Sequence, residues 1–193
     1  MTHPLRVVAI SGGLQSPSKS AALTEHILNL IAEEISIEQH SVELGQLAPL
    51  FAGEIWRTQL PDAVERKLAL VEQADILVVA TPVYRGSYTG LFKHFFDFIH
   101  QYALVDKPVL LAATGGSERH ALVIDHQLRP LFSFFQARTL PLGIYATDKD
   151  FVDYRVQDVV LIERIRLAVQ RALPLLELTR AAKHAFVEQL VVA

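Results

Sequence analysis

Three short stretches of the chain hold residue types that could do chemistry. The first, residues 9–20 (AISGGLQSPSKS), places the hydroxyls of Ser11, Ser16, Ser18 and Ser20, the ammonium of Lys19 and the bare glycines Gly12 and Gly13 between an apolar run and a helical segment. A helix N-terminus presents unpaired N–H groups and a partial positive charge, and so can seat a phosphate. Glycine lets the backbone turn closely beside it. A plain N-cap by Ser18 or Ser20 is the other reading, but a cap needs one serine, not four. Neither GxxxxGK[ST] nor GxGxxG occurs in the stretch, so a single phosphate ester fits better than a pyrophosphate.

The second stretch is residues 81–90 (TPVYRGSYTG). Pro82 keeps the residue before it extended. Tyr84 offers a flat face, Arg85 a positive charge, and the amides of Tyr84 and Arg85 could meet the polar edge of a planar ring. The third, residues 113–118 (ATGGSE), sets Gly115 and Gly116 between the hydroxyls of Thr114 and Ser117, so that a flat ligand could approach the backbone. Taken singly, the second stretch reads rather as an exposed turn with a packed tyrosine. The third reads equally as a turn with an N-cap at Ser117.

The elements around these stretches must bring them together. Apolar runs at residues 5–10, 76–81 and 108–114 read as strands covered on both faces, with further strands at 37–44 and 140–145. Helical patterns fill residues 21–34, 61–74, 88–102, 118–137 and 157–176; residues 178–193 form a C-terminal extension that continues the last helix or packs on a partner. Strands separated by helices imply α/β architecture: a doubly wound, flavodoxin-like five-stranded parallel sheet of order 2-1-3-4-5, helices on both faces, in one domain over residues 1–193. In that order the winding reverses between strands one and three, and ligands bind at the strand ends beside the reversal. The three stretches follow strands one, three and four. Together they describe a phosphate at the first loop and a planar heterocycle between the other two, and FMN has that shape.

Bulk properties exclude several alternatives. The chain has 193 residues, 51% of them apolar and 20% charged, a net charge of −3 and no cysteine. Disulfides and thiolate catalysis are therefore absent, and any redox chemistry must ride on a bound cofactor. No basic surface for nucleic acid, no signal-peptide pattern and no apolar run long enough to span a membrane is present, which gives the expectation of a soluble, cytoplasmic protein. His120 and His126, like His94 and His100, stand six apart and share no helical face at metal-ligand spacing.

PSKS, TPVYRGSYTG and ATGGS, in this order, resemble the NAD(P)H-dependent FMN reductases of the flavodoxin-like superfamily, over residues 5–175. Within them the chain is similar to the reductase components of two-component alkanesulfonate and methanesulfonate monooxygenase systems. The resemblance implies that Ser11, Ser18, Lys19 and Ser20 hold the FMN phosphate. It implies that Pro82, Val83, Tyr84 and Arg85 line the isoalloxazine, with Thr114, Gly115, Gly116 and Ser117 opposite. Relatives often carry Pro-Arg early in the first loop; this chain has Gly13, Leu14 and Gln15, which removes an arginine contact and puts more weight on Lys19. The implied activity is hydride transfer from the C4 of NADH or NADPH to flavin N5, with no catalytic side chain required. Reduced FMN would pass to a flavin-dependent monooxygenase. An FMN-containing quinone or azo reductase and a flavodoxin-type electron carrier are the rival readings; carriers of this fold tend to be strongly acidic, which this chain is not.

The resemblance also implies a homodimer or homotetramer. In the subgroup, the helix matching residues 120–131 (HALVIDHQLRPL) carries an inserted residue that forms a π-bulge at a subunit interface, and His126 stands at that place. His126 reads equally as one more polar residue on a helix. The run of Phe92, Phe95, Phe96 and Phe98 reads as core and subunit contact. Trp56 lies in a loop that either covers a neighbour's flavin or packs locally.

Overall fold

The computed structural model describes the backbone of residues 4–192 and the side chains of residues 4–183. Strand β1 (Leu5–Ser11) leads into helix α1 (Lys19–Glu34), then β2 (Ile37–Glu43), the single turn α2 (Leu44–Leu47), α3 (Asp62–Glu72), β3 (Ile76–Pro82), α4 (Gly90–Asp97) and β4 (Pro108–Gly115). A π-helical turn at Ile124–Leu128 precedes α5 (Arg129–Phe134) and the strands β5 (Arg138–Thr139) and β6 (Ile144–Thr147). A two-stranded ribbon, β7 (Phe151–Val152) with β8 (Arg155–Val156), and the long helix α6 (Val159–Val192) complete the order. The parallel sheet runs β2-β1-β3-β4, and β5 and β6 both pair with the outer side of β4. The expected order 2-1-3-4-5 therefore holds, with the fifth position divided.

Period-two alternation explains why the sheet is covered twice. On β1, β3 and β4 the residues Val8, Ile10, Leu77, Val79, Val109 and Leu111 face one core, with Val64 and Leu68 of α3, the phenylalanines of α4 and Phe132 of α5. The alternate residues Val7, Ala9, Ile76, Val78, Leu110 and Ala112 face the other, with Leu23 and Ile27 of α1 and Ile165 of α6. Phe92, Phe95 and Phe96 are fully buried core residues, and Phe98 is nearly so.

Three expectations need correction, and the helical reading of the C-terminal extension holds. The fifth strand is not continuous over residues 140–145. Pro141 cannot donate to the ladder, and Arg129 draws the Leu140 and Pro141 carbonyls away, donating to them at 2.9 and 3.2 Å. The helix expected over 118–137 is a short 3-10 turn at Glu118–His120, the π turn and α5. Arg129 N–H reaches the Ile124 carbonyl five residues back, and Pro130 beside it has no N–H to restore the four-residue pattern. His126 lies inside this π turn and is exposed. The helix expected over 88–102 is confined to α4. The last helix runs through the 178–193 extension as far as Val192, and Lys183 on it donates to Asp75 at 2.6 Å.

Candidate functional site

The register aligns the carboxyl ends of the central strands: Ser11 opposes Ala80, and Pro82 opposes Thr114. The three loops that follow are bonded to one another. Gly12 N–H donates to the Ala80 carbonyl at 2.7 Å, and Thr89 Oγ1 donates to the Gly12 carbonyl at 3.2 Å, so the first loop is fixed to β3 and to the start of α4. Val83 N–H donates to the Thr114 carbonyl at 2.7 Å, joining the second loop to the third. Ser20 Oγ and Thr114 Oγ1 share a buried hydrogen bond of 2.9 Å, joining the first loop to the third.

Between the loops lies an open cleft of about 260 Å³. Its walls include Ser18, Lys19, Ser20, Pro82, Val83, Tyr84, Thr114, Gly115 and Gly116, nine of the twelve residues singled out from the sequence. The other three stand outside its walls. Ser11 ends β1, is 3% exposed, and its Oγ has no hydrogen-bond partner among the described residues. Arg85 and Gly86 are the two central residues of a tight turn closed by reciprocal bonds between Tyr84 and Ser87, both at positive φ, so the Arg85 side chain starts from an exposed tip. Ser117 accepts the Tyr145 phenol on its carbonyl at 2.6 Å. Burial, with the Asp148 carboxylate adding, raises that phenol above its ordinary value, so it stays a donor.

Sequence reasoning missed five further residues of the cleft. Leu14, Gln15 and Pro17 lie within the first stretch but offered no obvious chemistry. Asp148 follows the fifth strand, whose end was misplaced, and Tyr154 sits at the tip of the β7–β8 ribbon. Asp153 and Tyr154 both adopt positive φ, which a sequence signals by Asn-Gly or Asp-Gly and here does not. The glycines also work differently from expectation. A Cβ on Gly115 would collide with Tyr145 Oη, and one on Gly13 with Ser18 Oγ. Their bareness makes room for neighbouring side chains, whereas a Cβ on Gly116 would meet only Asp148 Oδ2, at 3.9 Å.

The donor set fits a flavin mononucleotide. Ser18 is the N-cap of α1, its Oγ accepting Ala21 N–H at 3.4 Å, which leaves its own O–H to give. The first amides of α1 have no acceptor within the helix. Lys19 adds a cation, and Tyr84 and the Gly116 backbone offer flat surfaces for a ring. A larger cavity of about 720 Å³ lies between the π turn and the start of α6 and shares none of these walls. Trp56, 68% exposed, is neither at the cleft nor packed in the core.

A parallel sheet in this order, with its cleft where the winding reverses, defines a flavodoxin-like α/β protein. Residues 5–152 match the model of the NADPH-dependent FMN reductases, and the chain belongs to that family. It is 62% identical over 175 residues, 91% of this chain and 94% of the relative, to the NADH-dependent FMN reductase SfnE of Pseudomonas putida. It is 53% identical over 175 residues, with the same coverage, to an FMN reductase (NADPH) of Pseudomonas aeruginosa. Among solved structures, an oxidoreductase from Corynebacterium diphtheriae superposes with a TM-score of 0.79 at 34% identity, covering 88% of this chain and 94% of that one. The chain is accordingly an oxidoreductase of FMN and a nicotinamide nucleotide.

Proposed function

We propose that this chain reduces FMN with NADH or NADPH and releases the reduced flavin to a flavin-dependent monooxygenase of the sulfonate-cleaving type. The observation that carries the reading is the openness of the cleft. The cleft, of about 260 Å³, is open to solvent and not an enclosed cavity. A flavin seated there keeps one face available to a nicotinamide ring and remains exchangeable. When bound, FMN supplies the ring nitrogen N5 that accepts the hydride from nicotinamide C4.

The chain's own task is positional. Ser18, Lys19, Ser20 and the first amides of α1 hold the phosphate, and Pro82, Val83 and Tyr84 face Thr114, Gly115 and Gly116 across the ring. Ser11 lies buried at the end of β1, before the first loop, Ser117 takes the Tyr145 bond on its carbonyl, and Arg85 stands at the rim. The bonded loops keep this arrangement in place before any ligand arrives, so stacking the two rings at near-attack distance costs little reorganisation. The names of the relatives support both nicotinamides, one being NADH-dependent and another NADPH-dependent.

The test is anaerobic. Purified protein, NADH or NADPH, and graded free FMN are mixed, and flavin bleaching is followed. The expected result is steady reduction of many FMN equivalents per chain. Nicotinamide oxidation that stops after one equivalent, and resumes only on adding a quinone, would replace this reading with a retained-flavin quinone reductase.

We also propose that the π turn lies at an interface between copies of the chain. His126 and Leu122 are exposed there, Leu122 at 60%, and Phe134 on the following helix is 64% exposed. Exposed large apolar side chains on either side of the π turn are typical of a surface that meets a partner. Deleting His126 should restore a plain α-helical turn and shift the assembly to a smaller species in light scattering. Unchanged mass and unchanged turnover would refute the assignment.

A further inference from the structure

We infer that the Asp148 carboxylate competes within the cleft for Lys19 and thereby sets how loosely a flavin phosphate is held; this rests on the phosphate assignment proposed above. Lys19 Nζ donates to Asp148 Oδ1 at 2.8 Å, and both residues line the cleft. Among the described residues, Lys19 is the one cation of the lining and Asp148 the one anion. The side-chain charge of a site for a doubly charged ester therefore sums to zero. Asp148 also overhangs the third loop: its Oδ2 lies 3.9 Å from the point where a Cβ on Gly116 would stand.

The carboxylate is held in that place from below. Thr147 N–H and Oγ1 donate to Asp150 Oδ2 at 2.6 and 2.9 Å, and both residues are buried. This pair fixes the turn that carries Asp148 at the end of β6. Lys19 is fixed in turn as the first residue of α1. An exposed ion pair contributes little to folding, so fold stability does not account for the contact. Its effect falls on the ligand. An arriving phosphate must draw Lys19 from Asp148 or sit beside a like charge, and either lowers affinity. A chain that passes its reduced flavin onward gains faster release from such a competitor.

Titration of oxidised FMN and of riboflavin, followed by quenching of flavin fluorescence with no nicotinamide present, tests the inference. Asp148→Asn is expected to lower the FMN dissociation constant about tenfold and to leave riboflavin within twofold. In a Lys19→Met background the same change is expected to give no gain; Lys19→Gln serves if the methionine variant does not fold. An unchanged FMN constant, equal tightening of both flavins, or the full gain without Lys19 would overturn the inference. The wild-type preference for FMN over riboflavin reports on the phosphate assignment separately. If that preference exists and Asp148→Asn is silent, only the inference fails. If neither protein prefers FMN, both fail. A preference that emerges only in Asp148→Asn supports both.

Discussion

Lys107→Met is expected to lower the unfolding free energy by about 3 kcal/mol, roughly a 10 °C fall in melting temperature for a chain of this size. Lys107 precedes β4 and is nearly buried. Its ammonium donates to the carbonyls of Val71, Glu72 and Ala74 at 3.4, 2.9 and 2.5 Å, closing the C-terminal end of α3. Methionine fills the same space and leaves those acceptors in a dry site. The alkaline dependence gives an independent check. Burial pulls the ammonium down to about 8, against the Asp75 and Glu72 carboxylates that favour its charge. In the unfolded chain the group titrates near 10.4. Between those values the unfolded chain binds more protons, so stability rises with pH there: the cost of burying the Lys107 charge is full below about pH 8 and gone above about 10.4. The wild type should therefore gain stability relative to Lys107→Met as pH rises through that window. Parallel melting curves for the two proteins from pH 7 to 10 would contradict the assignment. Because Lys107 stands at the end of the sheet remote from the cleft, FMN affinity should stay within twofold wherever the variant is folded.

Gly45→Ala is expected to weaken FMN binding by between about tenfold and a hundredfold, although Gly45 is not part of the cleft wall. The residue lies on α2 with its Cα against the first loop. An added Cβ would stand 2.7 Å from the Gly13 carbonyl oxygen, 2.9 Å from the Leu14 carbonyl carbon and 3.0 Å from its oxygen. These are backbone atoms, so no side chain can rotate aside and the loop itself must move. The loop cannot move far without breaking the Gly12 bonds to Ala80 and Thr89. Displacement falls on Ser18 and Lys19, and riboflavin should suffer less than FMN. Overpacking of this kind also costs stability, about 1–3 kcal/mol. Equal losses for the two flavins, with normal melting, would show that α2 does not support the phosphate loop.

Much of this arrangement was legible in the chain because its central strands are nearly pure apolar runs. Residues 5–10, 76–81 and 108–114 admit hardly any other reading, and three strands followed by polar, glycine-bearing loops direct attention to one end of a sheet. The cleft's hydroxyls were legible for the same reason. What was hidden depends on contacts distant in sequence. The break in the fifth strand is enforced by Arg129, whose reach to Leu140 and Pro141 no local pattern announces. Asp148 is adjacent to Lys19 only because β6 ends beside α1. The fully buried Phe92 and Phe96 and the half-buried Ser117 could be ranked only once neighbours were known. Tyr154 reaches the cleft through a left-handed turn that its own side chain disfavours.

The bonds that tie the three loops together have a kinetic consequence. Each loop is fastened to the next, through Gly12 and Thr89, Val83 and Thr114, and Ser20 and Thr114. The roots of the three loops are therefore held in one arrangement, and the cleft is approached from its open side. At the proposed flavin site, arrival then requires diffusion, orientation and the parting of Lys19 from Asp148, while differences between variants show up in dwell time.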